Sequence, residues 1–210
     1  MPIIDRTYFK GEIRLANITD VSVDDTAGNG PLLDRFINKY EREVLVKCLG
    51  YPLFKLFKEQ FDIDATTGTW TLKDDADSKW DDLLNGTEYQ INGESAIWKG
   101  LVHTDSDIDG ADPDHSLIAY YVYSKFVTSE EYSHAGVGFQ REKPKNSEIM
   151  DATVKSTFAF NSFKEMVDDP FGDDNEVGLY QFLRDMNSAD AATYPGWNGE
   201  CFTLQNRYGL

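Results

Sequence analysis

Cysteine is scarce in this chain, cations are outnumbered and no apolar run is long. Cys48 and Cys201 are the two cysteines of 210 residues, too few for a small scaffold held by disulfides. Cys48 falls on the apolar face of an expected helix, where a buried thiol is the default; a Cys48–Cys201 disulfide stays open as the alternative. No apolar stretch approaches the ~20 residues that cross a bilayer. The first ten residues, Met1 to Lys10, lack the charged-then-apolar pattern of a leader. These features predict a chain made and folded in a reducing cytoplasm, with no membrane partner. Lys and Arg number 20 against 37 Asp and Glu, a formal charge of −17. Such a balance favours solubility and repels polyanions. It does not supply the cations that grip phosphates, but it suits a wall past which DNA slides without sticking.

Catalytic patterns are equally sparse. The three histidines, His103, His115 and His134, stand in no His-x-x-x-His or Cys-x-x-Cys spacing for zinc. His115 is expected in a first helical turn and His134 at a helix end, where an imidazolium interacts well with the dipole. There is no Gly-x-Ser-x-Gly elbow and no phosphate loop ending in Lys-Ser/Thr; Gly136-Val-Gly138 is too short and follows a helix. The acidic pairs Asp81-Asp82, Glu130-Glu131 and Asp173-Asp174 are sequence neighbours, so their side chains diverge. A glycosidase needs two carboxyls facing across a cleft. The sequence reads as a non-enzyme with no required cofactor.

What is present is a core. Hydrophobic residues make up 40% and aromatics 13%, enough for one domain with extensions. The pattern predicts a mainly α fold: a helical bundle with a small β-hairpin and extended N- and C-terminal arms. Residues 1–30 read as an arm, in which Ile13, Leu15 and Ile18 roughly alternate like a short strand before Asp24-Asp25-Thr26-Ala27-Gly28 breaks it. Residues 31–170 read as the helical core. Pro31 opens a helix whose face carries Leu32, Leu33, Phe36, Ile37, Tyr40, Val44, Leu45 and Cys48, with Asp34, Arg35, Lys39, Glu41, Arg42 and Lys47 opposite. Gly50 ends it and Pro52 starts a shorter one through Phe61. Turn and strand material follows at 62–75, then a short helix around Trp80, Leu83 and Leu84. Asn92-Gly93 between apolar flanks signals a hairpin near 87–101.

The stretch 116–136 reads as an aromatic-rich helix, entered through Asp112-Pro113. Leu117, Ile118, Tyr121, Val122 and Phe126 form its inner stripe, with Tyr120, Tyr123 and Tyr132 as aromatic surface beside it. A further helix spans about Ser147 to Val167, with Met150, Val154, Phe158, Phe160, Phe163 and Met166 on its face. Residues 171–210 add a helix around Leu179 to Met186 and a tail rich in aromatics. Tyr194, Trp197, Phe202 and Tyr208 are too apolar to hang in solvent; they are expected to dock on the body or on a partner, and are assigned as partner contacts.

Two further clusters are candidate sites. Asp105-Ser-Asp107-Ile-Asp109-Gly110 places carboxylates at alternate positions before a glycine, as in the first half of a calcium loop. Asp105, Asp107 and Asp109 are therefore candidate ligands for calcium or another hard cation. The twelfth position, which should be a bidentate glutamate, is Ser116. A solvated acidic turn near the positive end of the next helix is the alternative. Arg141, Lys143 and Lys145 form a basic cluster against the acidic background. They are assigned to contact with an acidic partner or nucleic acid, with a solvated loop as the alternative.

The order of these segments resembles the head–tail connector (adaptor, or neck) proteins of tailed bacteriophages, closest to those of crAss-like and other Bacteroidetes-type phages. The resemblance rests on the helix pair from Leu32 to Phe61, Tyr89-x-x-Asn92-Gly93 followed by Trp98-Lys-Gly-Leu101, the helix Ser116-Leu-Ile-Ala-Tyr-Tyr-Val-Tyr, the loop Gly136-x-Gly138 and the helix through Asn161 to Met166. It covers roughly residues 30–168. It implies a structural virion protein of the neck that forms a homo-oligomeric ring, commonly a dodecamer. The ring would bind the portal protein on one side and a tail or second neck-ring protein on the other, with DNA passing through its channel. Another tail completion or terminator protein, a calcium-binding interaction module and a carboxylate-based hydrolase are the alternatives.

Overall fold

The computed structural model describes residues 2–15, 29–64, 70–91, 93–104, 114–130, 133–135, 138–140, 152–168, 175–200 and 202–204. Six α-helices dominate them: α1 (Asn29–Leu49), α2 (Tyr51–Glu59), α3 (Lys79–Asn85), α4 (Leu117–Glu130), α5 (Ala152–Asp168) and α6 (Leu179–Ala189). Eight short strands pair as four antiparallel two-stranded units. These are β1 (Phe61–Ile63) with β2 (Trp70–Leu72), β3 (Thr87–Ile91) with β4 (Glu94–Trp98), β5 (His103–Thr104) with β6 (Asp114–His115), and β7 (Ser133–Ala135) with β8 (Gly138–Gln140). The fold is mainly α with small β-hairpins, as the periodicity predicts.

The chain is organised around α4. Every residue from Leu117 to Ser124 is buried, so the first two turns of α4 are covered on all sides rather than along one stripe. Tyr120 and Tyr123, expected as surface beside the stripe, are each 3% exposed. The helix starts later than Asp112-Pro113 suggests. Ser116 caps it: its Oγ accepts from the Ile118 N–H at 3.2 Å and donates to the Leu101 carbonyl at 2.8 Å. His115 consequently lies in β6, opposite His103, rather than in a first helical turn, and His134 lies in β7 rather than at a helix end.

Helix α1 packs on one side of α4, burying Leu33, Ile37, Val44, Leu45 and Cys48. It begins at Asn29, two residues before Pro31, which the first turn tolerates because N–H groups there have no helical acceptor. Helix α5 covers the other side. Its inner face is Ala159, Phe160, Phe163 and Val167, while Phe158, expected inside, is exposed. Aromatic edges join the layers: Phe36 meets Phe126 at 5.3 Å and Tyr121 meets Phe163 at 5.0 Å between ring centroids.

The β3–β4 hairpin closes over α3 and α6. Trp98 stacks on Phe182 at 5.6 Å and donates its indole N–H to the Leu83 carbonyl at 3.2 Å. Gly86 and Gly100 make this approach feasible. Both have positive φ, and a Cβ on Gly86 would lie 2.5 Å from the Trp98 carbonyl oxygen. Asn175 and Val177 cover the outer edge of β4, exchanging hydrogen bonds with Ile97 at 2.8 and 3.0 Å.

Both ends of the described chain lie on this body. Residues 2–15 run as two 3-10 turns, Arg6–Tyr8 and Gly11–Ile13, rather than the strand that alternation suggests; Ile18 lies outside the described residues. Ile4, Phe9 and Ile13 sink into the same core as α1 and α4. Arg6 grips Asp34 with two hydrogen bonds, Nε to Oδ1 at 2.9 Å and Nη2 to Oδ2 at 2.6 Å.

Candidate functional site

The structure separates the candidate residues into two groups. Asp105, Asp107, Asp109, Arg141, Lys143, Lys145 and Tyr208 lie outside the described residues. Among the described residues, no three His, Cys, Asp or Glu side chains converge as metal ligands, and no helix is long and apolar enough to cross a membrane. Tyr194, Trp197 and Phe202 are placed, and all three turn inward.

Tyr194 is 1% exposed, with its ring against Trp80 and Phe182 and its hydroxyl donating to the Lys79 carbonyl at 2.6 Å. The assignment of Tyr194 to a partner is thereby corrected: its apolar face and its polar tip are both used within the chain. Trp197 packs edge-on against Tyr180 at 5.5 Å and donates to the Cys48 carbonyl. Phe202 sits edge-on to Phe163 at 5.0 Å. These two are half-buried on their own body, the docking alternative that the sequence left open. Gly199 fits here because a Cβ would lie 2.4 Å from the Cys48 carbonyl oxygen. Cys48 itself is a free, buried thiol, its pKa driven up by burial and by the nearby Asp168 and Glu200 carboxylates.

A groove rich in hydroxyls lies where α1, α4 and α5 meet. It encloses about 410 Å³ and is lined by Tyr40, Ser124, Lys125, Thr128, Ser129, Ser156 and Phe160. The serine and threonine spacing on α4 puts three hydroxyls on its rim. Ser129 donates to the Phe126 carbonyl and Ser124 to the Tyr121 carbonyl. Ser156 reaches across from α5 to the Ser124 carbonyl at 2.8 Å, and Thr128 donates to Ser156 at 2.8 Å. Among the described residues, the acceptors of these hydroxyls are main-chain carbonyls and one another, not a base.

At one end of the groove Lys125 lies over the Tyr121 ring, 5.1 Å from its centroid. The Tyr121 hydroxyl donates to Glu43 Oε1 at 2.7 Å, and Lys47 pairs with the same oxygen at 3.1 Å. Burial pushes the Glu43 carboxyl up, but the hydrogen bonds from Tyr121 and Lys47, with Lys125 nearby, bring it below its ordinary value. Burial and the Glu43 charge raise the Tyr121 phenol, which stays a neutral donor. Burial lowers Lys125, with Glu43 opposing and Lys47 assisting. The cluster ties α1 to α4, and Lys125 with the Thr128, Ser129 and Ser156 hydroxyls lines the groove beside it. Such a surface can hold a polar partner by hydrogen bonds.

Sequence reasoning missed Glu43 and Lys125, and it placed Glu41 on the solvent side of α1, where the structure buries it at 6% exposure. The signal for Glu41 was its spacing: four residues after Ile37 and four before Leu45, it stands inside the apolar stripe. The pairing of Tyr121 with Glu43 depends on how α4 crosses α1, which no local spacing encodes. No protein family, no curated protein and no solved structure matches this chain.

Proposed function

We propose that this chain is a structural virion protein: a head–tail connector that assembles as a ring between portal and tail around the DNA channel. The observation that carries the reading is the order of elements on which the resemblance rests. A helix pair (α1, α2), a hairpin (β3–β4), an aromatic central helix (α4) and a following helix (α5) come in that order. The charge of −17 supports it, because an acidic lining leaves DNA mobile. The apolar chain ends lend no support, since Ile4, Phe9, Ile13 and Tyr194 are covered by the chain's own body. In this reading subunits meet through their outer helical faces, in head-to-tail contacts that close by rotation. The groove lined by Lys125 and the α4 hydroxyls and the exposed ring of Phe158 on α5 are available to such contacts.

Mass measurement of the purified chain, alone and with a candidate portal protein, tests the proposal, together with low-resolution imaging. The expected result is a closed oligomer with a central hole. A chain that stays monomeric at high concentration with portal present would refute it.

A further inference from the structure

Glu41 is a buried carboxylate that holds the start of the chain. It projects from the middle of α1, and its Oε2 accepts two backbone N–H groups, from Ile3 at 2.7 Å and Ile4 at 3.0 Å. Beside it lies a cavity of about 160 Å³ lined by Pro2, Asn38, Arg42, Leu45, Phe54, Lys58 and Trp70. The charged side chains facing that space are Arg42, from the same helix, and Lys58, from α2. From the strap 2–15, Glu41 accepts the backbone N–H groups of Ile3 and Ile4, while Arg6 pairs with Asp34 and Glu12 accepts from the Tyr120 hydroxyl at 3.3 Å. The carboxylate, 6% exposed, therefore loses most of its water on docking, and among the described residues no side-chain cation forms an ion pair with it.

We propose that Glu41 is a protonation-controlled latch for the strap 2–15, tightest in mild acid and slackest above neutrality. Two N–H donors to one oxygen fit either protonation state, because a neutral carboxyl keeps an acceptor oxygen for them. The charged form bears by far the larger share of the loss of hydration. Burial raises the Glu41 pKa from 4.5 to about 7, with the Ile4 and Ile3 N–H groups pulling it back. A carboxyl raised by docking binds its proton more tightly when the strap is down. Strap affinity is therefore greatest below about 4.5, weakens as pH rises between 4.5 and about 7, and is lowest and constant above that. Release would uncover the core sites of Ile4, Phe9 and Ile13 without requiring α1 or α4 to move. The latch stands whether or not the chain forms a ring.

The test is hydrogen exchange of the Ile3 and Ile4 amides in the full chain from pH 5 to 8.5. Protection is corrected for intrinsic rates and divided by that of the interior Val122 amide. A carbon-13 titration of the Glu41 carboxyl accompanies it. Wild type should lose relative protection on the order of a hundredfold across that range, with the carboxyl titrating near neutrality. Glu41→Gln, which keeps the acceptor but cannot ionise, should show protection that is flat with pH. Protection that is flat in wild type, or an equal slope in Glu41→Gln, overturns the latch. If the variant does not fold, a wild-type carboxyl midpoint near 4.5 overturns the latch on its own, and a midpoint near 7 with falling protection upholds it.

Discussion

Trp197 completes a helix begun almost the whole chain earlier: its indole N–H donates to the Cys48 carbonyl at 3.1 Å across 149 residues. The last four carbonyls of an α-helix have no partner within it. In α1 all four are met. The Val46 carbonyl takes the Gly50 N–H at 2.9 Å, Lys47 takes Glu200 at 2.7 Å, Cys48 takes the indole, and Leu49 takes Asn198 at 3.3 Å. Tyr180 anchors the arrangement by donating to the Glu200 carbonyl. The aromatic tail is thus a remote cap for α1.

Trp197→Phe keeps a ring against Tyr180 and removes the donor to Cys48. It should lower stability by about 1 kcal/mol, seen as a reduced urea midpoint with an unchanged slope. A variant indistinguishable from wild type would show that water replaces the indole without loss.

Tyr121→Phe removes the donor to Glu43 and should also lower stability, by about 1 kcal/mol given that Glu43 is partly exposed. The deficit depends on pH. Glu43 has a folded-state pKa below 4.5, so its contribution is fully present above that value and is lost as pH falls through the folded pKa. Urea unfolding at pH 7 and pH 3 should show the gap between variant and wild type narrowing in acid. A gap of constant size would mean that the Tyr121–Glu43 bond is not the source.

Phe163 and Phe158 lie on one helix with opposite fates. Phe163 is fully buried against Tyr121, Phe160 and Phe202, while Phe158 is 45% exposed. Phe163→Ala should destabilise the chain by about 3–5 kcal/mol, and Phe158→Ala should stay within about 0.5 kcal/mol. In the ring reading, Phe158→Ala should instead weaken assembly, which sedimentation of the two variants would separate from folding.

Arg141→Ala combined with Lys143→Ala should leave the circular dichroism spectrum and melting temperature unchanged while weakening partner binding, most strongly at low salt. Assembly that proceeds unaltered would identify this segment as solvated linker.

The helices were legible because their signal is local. The three- and four-residue spacing of Leu33, Ile37, Val44, Leu45 and Cys48 survives as the buried face of α1, and Asn-Gly between apolar flanks marks the β3–β4 turn. Misreadings arose where a distant segment decided the outcome. Tyr120 and Tyr123 look like a helix's second face until α1, α5 and the strap all cover α4. Phe158 satisfies an aromatic pattern, yet Ala159 and Phe163 define the side that meets α4. Ser116, weighed as a defective cation ligand, is a helix cap bonded to Leu101, fifteen residues away. Tyr194 and Trp197 carry polar tips whose acceptors, Lys79 and Cys48, are main-chain oxygens that no side-chain pattern reveals.

The remote cap also imposes a timetable. Synthesis proceeds from the amino end, so α1 leaves the ribosome with its last three carbonyls, Lys47 to Leu49, open and acquires their partners only after residues 197–200 emerge. The strap is made first and the cap last, and both settle on the same helix. A nascent chain therefore holds α1 unfinished until those residues emerge, and truncation ahead of Trp197 leaves the Lys47, Cys48 and Leu49 carbonyls without these partners, with only Val46 still met by Gly50.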